Sequence, residues 1–178
     1  MNFKKLSLLI CLPIVFAFKQ QGVFPSIVCT NLEQKSVTLP AHYAGKRSVL
    51  AVLVSLKADK AMQKWMKPLH QTLVEGIMGG MGANMYNANF GVVGVVDGWS
   101  KLALPELIKK SKQEVQPIYY PHIMYTSSSS QPLLQSLQIT DKQVPHFFVL
   151  ETDGTLLLHT SGEFTEAKLD EITSALLR

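Results

Sequence analysis

The stretch Ser48–Leu73, SVLAVLVSLKADKAMQKWMKPLHQTL, decides the fold. Ser48 to Val54 is a near-continuous run of valine, leucine and alanine, the pattern of a strand buried on both faces. It passes straight into a helical pattern. Met62, Trp65, Met66, Leu69 and Leu73 recur at spacings of three and four and form one apolar stripe. Ser55 or Asp59 is placed to cap that helix, and Pro68 predicts a kink or an early end. A buried strand feeding an amphipathic helix is a unit of an α/β layer fold.

The same signals extend outward in both directions. Val23–Thr30 and Ser36–Leu39, separated by the polar turn Asn31–Lys35, read as an N-terminal hairpin. Phe90–Val96 is a second buried-strand run, and Pro105–Lys112 reads as a helix with proline in its first turn. His122–Tyr125 is a strand candidate, and Gln131–Leu137 is a short helix. His146–Glu151 and Thr155–Thr160 flank a Thr152-Asp153-Gly154 turn. Thr165–Leu177, with Ala167, Leu169, Ile172, Leu176 and Leu177 on one side, closes the chain as a helix. The expectation is a single α/β domain with a mixed central sheet flanked by helices and an N-terminal β-hairpin extension.

Composition sets the compartment. The 178 residues are 47% hydrophobic and 17% charged, enough for one domain with its own core. Lys4 and Lys5 precede the apolar run Leu6–Phe16, and Val15-Phe16-Ala17 ends in a small residue, so residues 1–17 read as a signal peptide and 18–178 as the domain. The run is short for a membrane-spanning anchor, and Ile10 before Cys11 does not fit a lipoprotein signal. Cleavage lowers the formal charge from +4 to +2, because two of the 17 basic residues, Lys4 and Lys5, are lost. No Lys/Arg run points to nucleic acid. Cys11 leaves with the signal, Cys29 remains, and one cysteine makes no internal disulfide. The expected location is the periplasm.

The order of elements resembles the thioredoxin-like superfamily, in particular its exported TlpA-like and peroxiredoxin-like branch, from about Phe24 to Leu177. The hairpin Ser26–Leu39 with Ala44-Gly45-Lys46, the strand Val49–Val54 entering a helix that carries Trp65 and Pro68, Val144-Pro145 ahead of a strand, and the hairpin Phe147–Leu158 carry the resemblance. The family's Cys-x-x-Cys aligns with Lys57-Ala58-Asp59-Lys60. A helix N-terminus stabilises a thiolate, whereas lysines there have the wrong sign for the dipole and exchange no disulfides. A retained frame without its thiols implies a binding role, as a structural subunit or assembly factor of an envelope complex, with no cofactor and no enzyme activity. Membrane association would then be peripheral and through the complex. The resemblance also makes Val144–Pro145 a cis-proline bordering a peptide groove.

Other residues offer alternatives. Cys29 reads as a buried structural cysteine, with a one-cysteine peroxidase-like reaction as the enzymatic alternative. Lys57 and Lys60 at a helix end could hold a small anion. Met62, Met66 and His70, at intervals of four, have donors that suit Cu(I), as in Sco-type relatives, but those use a cysteine pair that this chain lacks. The loop 76–89, GIMGGMGANMYNAN, with Met78, Met81, Met85 and Tyr86, reads as a partner-binding surface. His42, His122, His146 and His159 show no metal spacing, and Ser127–Ser130 carries no nucleophile pattern.

Overall fold

The computed structural model describes residues 22–75, 85–96 and 104–178. The signal-peptide reading, and Met78 and Met81 of the expected partner loop, lie outside the described residues.

Seven strands form one sheet: β1 (Ile27–Asn31), β2 (Ser36–Leu39), β3 (Ser48–Leu53), β4 (Asn89–Val95), β5 (Ile123–Thr126), β6 (His146–Leu150) and β7 (Leu156–Ser161). Their spatial order is β2-β1-β5-β4-β3-β6-β7. The central trio β3, β4 and β5 is parallel, and both flanks are antiparallel. The helices are α1 (Leu56–His70), α2 (Leu104–Glu114), α3 (Ser130–Ser136) and α4 (Glu166–Leu176). The leading hairpin adds β1 to the sheet beside β5, as the pattern of short strands and a polar turn predicts.

All six residues of β3 are buried because both faces of the sheet are covered. Val49, Ala51 and Leu53 point to one core, with Trp65 and Leu69 of α1 and Ile172 and Leu176 of α4. Leu50 and Val52 point to the other, with the hairpin residues Ile27, Cys29 and Leu39 and with Leu133 and Leu134 of α3. That period-two division of one continuous apolar run specifies the register. The Glu151–Gly154 turn before β7 places Gly154 at φ +89°, a conformation glycine adopts without steric cost.

Pro68 does not end α1. The helix runs to His70 and passes into one π turn, Gln71–Glu75. The Gln71 N–H donates to the carbonyls of both Lys67 and Pro68. The apolar stripe explains the continuation, since Leu69 and Leu73 beyond the proline are fully buried and hold the segment on the sheet.

Candidate functional site

Helix α1 starts at Leu56, directly after the central strand. Ser55, not Asp59, is the N-cap. Its backbone is extended, and its Oγ accepts from the Ala58 N–H at 3.2 Å. The same hydroxyl donates to the Lys142 carbonyl at 2.6 Å, which ties the helix start to the segment leading into β6. Side chains that meet the free N–H groups of a helix start do so from the N-cap and the first turn. Ser55 at the cap and Ala58 in the first turn, three positions apart, are the residues nearest those groups, with Ala58 buried beneath the turn. Lys57 and Lys60 are exposed on the outer side of the first turn. Neither Ser55 and Ala58 nor Lys57 and Lys60 carry sulfur.

The opposite wall is Val144 and Pro145. Strand β6 runs antiparallel to β3 with His146 opposite Val52, so Pro145 lies beside the end of the strand that feeds α1. The structure thus brings Lys57, Lys60, Val144 and Pro145 to one end of the sheet. It does not bear out the cis expectation. The cis peptide bond among the described residues is Leu39–Pro40, and Val144–Pro145 is trans. The backbone there is already engaged within the chain. The Pro145 carbonyl accepts from the Gly162 N–H at 3.0 Å. The Asp141 carbonyl accepts from His146 Nε2 at 2.6 Å. The Gly162 bond continues the pairing of β6 with β7, and the trans Val144–Pro145 bond removes the geometry on which the groove was expected to rest.

Leu56 went unremarked by the sequence reading, and His146 entered it only as a strand start without metal spacing. His146 is buried, and its Nδ1 lies 3.0 Å from His159 Nε2. A carbonyl can only accept, so His146 Nε2 carries hydrogen and the Nδ1–Nε2 contact holds a single proton between the two rings. Leu56, the first residue of α1, is 81% exposed. Lys57, Lys60 and Lys142 are exposed residues of the same end. A large apolar side chain at a polar helix start is the available signal for it, and a helical-stripe reading passes over it because it lies off the stripe.

The remaining candidates lie elsewhere. Cys29 is buried, and burial pushes its thiol up to about 12, against the weaker opposing effect of a hydrogen bond with Thr126. Met85 is exposed and Tyr86 packs partly against the core. They precede β4, whose start pairs with Ser48, so they sit at the opposite end of the sheet from Leu56. Met62 is buried and Met66 is half-buried, while His70 Nδ1 faces Glu75 Oε1 at 3.1 Å. No group of three or more His, Cys, Asp or Glu side chains able to hold a metal occurs among the described residues. No helix among them is long and apolar enough to cross a membrane.

No family profile and no curated protein matches the chain. Solved structures do. The thioredoxin domain of a thiol-disulfide oxidoreductase from Bacteroides vulgatus superposes over 88% of this chain and 94% of its own, at 14% identity and a TM-score of 0.55. BsSco, a member of the Sco family of cytochrome c oxidase assembly proteins, matches over 88% and 95%, at 14% identity and 0.56. StoA from Bacillus subtilis matches over 85% and 98%, at 16% identity and 0.52. At such identities the likeness concerns architecture. With its mixed sheet and four described helices, the chain has a thioredoxin-like fold of the kind seen in these structures, with serine and alanine at the start of the helix that follows the central strand.

Proposed function

We propose that this protein is a redox-inactive, exported thioredoxin-like protein that works by binding another protein in the cell envelope, through the N-terminal end of α1. One observation carries the reading. The end of the molecule that would hold a reactive thiol instead presents Leu56, 81% exposed, beside the exposed Lys57, Lys60 and Lys142. An isolated apolar side chain within a basic rim fits a partner with an apolar socket and acidic surroundings. The hydroxyl of Ser55 fixes the presentation by joining α1 to the β6 approach, so the contact surface is organised before binding. Thiol chemistry through Cys29 is disfavoured by its burial and by a thiol that stays protonated at neutral pH. A role as subunit or assembly factor follows from binding without turnover.

The test is recovery of tagged protein from its native envelope, with the stoichiometry of each co-purifying protein measured for wild type and for Leu56→Asp. Loss of a near one-to-one partner in the folded variant is the expected result. Recovery unaffected by Leu56→Asp, or wild type recovered alone, would remove this surface from the function.

A further inference from the structure

A cavity of about 340 Å³ lies between α1, α2 and the sheet. Its floor is apolar, with Leu53, Val92 and Ile123 from three adjacent strands. Gly94 also lies on it, and a Cβ there would come within 2.5 Å of the Tyr125 ring, so glycine is what lets that ring lie across β4. Met62 and Met66 form the α1 wall. The Ser111 and Tyr125 hydroxyls are hydrogen-bonded to each other at 2.7 Å. Asp59 of α1 and Glu114 of α2 also line it, with Gln63, Gln116 and Tyr119 as further polar neighbours. Among the described residues, no lysine, arginine or histidine lines it.

We infer that this cavity binds a small organic monocation, an ammonium group carrying an apolar body, with Asp59 and Glu114 receiving the charge and Met62, Met66 and Tyr125 enclosing the body. The volume is at the lower end of the range for small-ligand sites. Two carboxylates on a cavity of a net-basic protein set the sign of the ligand. Thioethers and a tyrosine face accept an alkylammonium more readily than an anion. The bound hydroxyl pair keeps an oxygen lone pair for an ammonium hydrogen. The Asp59 residue leaves much of its surface open at the mouth, yet burial of its carboxyl, and then the Glu114 charge, push it above the usual carboxylate value. A cation placed between the two would relieve that repulsion. Lys110 reaches Glu114 at 3.8 Å, but both side chains are exposed, and such a pair is too weak to neutralise the site.

The test uses the full protein carrying ¹³C-methyl methionine, titrated with phenethylammonium and, in parallel, with neutral 2-phenylethanol. Saturable movement of the Met62 and Met66 methyl resonances by the amine is expected, with the alcohol at least roughly tenfold weaker. Asp59→Asn should weaken the amine by a similar factor and leave the alcohol unchanged, and Glu114→Gln serves the same purpose if Asp59→Asn does not fold. Absence of saturable movement, equal affinity for amine and alcohol, or indifference to both substitutions would overturn the inference. Leu56→Ala, which adds no charge one turn from Asp59, should leave amine binding intact, which keeps this site distinct from the protein-binding surface.

Discussion

The single cysteine among the described residues is a packing residue with an alkaline liability. Cys29 sits in the core with Tyr43, and burial raises both groups, the thiol to about 12 from an ordinary 9.0. A group raised on folding stabilises fully below its unfolded value and loses that contribution as pH rises toward the folded one. Stability should therefore fall above pH 9, by about 1.4 kcal/mol per pH unit from this thiol. Between pH 9 and 10, below the ordinary tyrosine value of 10.0, Cys29 dominates. Denaturant midpoints measured across that window should decline in wild type and decline less in Cys29→Ala. Maleimide labelling should be negligible in the native protein and complete in denaturant. A flat wild-type profile, or rapid native labelling, would contradict this account and reopen the thiol-enzyme reading. The burial itself was legible in the sequence, because a lone cysteine in an alternating strand is most often inside.

Helix α1 shows what a sequence pattern can and cannot specify. The stripe Met62, Trp65, Met66, Leu69 and Leu73 was legible because burial follows the helical period, and all but the half-buried Met66 are buried. Its start was less so, since serine and aspartate are both good caps, and the choice depends on Lys142, distant in sequence, accepting the Ser55 hydroxyl. The one-turn continuation past Pro68 depended on tertiary packing as well. So did the trans Val144–Pro145 bond, which local sequence leaves open and the Gly162 contact accompanies. If Ser55 and Ala58 occupy the positions a dithiol requires, Ser55→Cys with Ala58→Cys should create one. The double variant should form a disulfide on oxidation and reduce insulin disulfides at least roughly tenfold faster than either single variant, since a thiol at a helix start is acidified. The buried Ala58 position implies an overpacking cost of about 1–3 kcal/mol, so stability should be measured alongside. Insulin reduction by Lys57→Cys with Lys60→Cys, and none by the Ser55/Ala58 pair, would restore the alignment made from sequence.

At the scale of the whole molecule, a charged clasp joins segments that no local pattern connects. Arg47, just before β3, donates through Nε and an Nη to the Glu151 carboxylate after β6, the latter at 2.8 Å. Its other Nη donates to the Leu176 carbonyl at the end of α4, also at 2.8 Å. A planar guanidinium can serve both acceptors at once, which a lysine cannot. The order of strands was readable from their periodicities, but this clasp was not, because its partners are 104 and 129 positions apart. The cavity escaped notice for a related reason: it depends on a side chain missing at Gly94 and a ring supplied by Tyr125. The Arg47 partnership, aided by the Thr152 N–H, holds the Glu151 carboxyl below its ordinary 4.5. A group depressed on folding contributes stability above its unfolded value and loses it as pH falls through the folded one. Both side chains retain solvent contact, so the effect is modest, a lowering of Tm by at most a few degrees in Glu151→Gln at pH 7. The gap from wild type should close as pH falls below 4.5, since protonation then removes the same charge. Amide exchange should localise the loss to the last turn of α4, where the Leu176 carbonyl depends on an Arg47 held in place by Glu151. A gap that persisted at low pH would show that Glu151 acts through packing, and that electrostatic closure of the sheet onto α4 is not what the clasp provides.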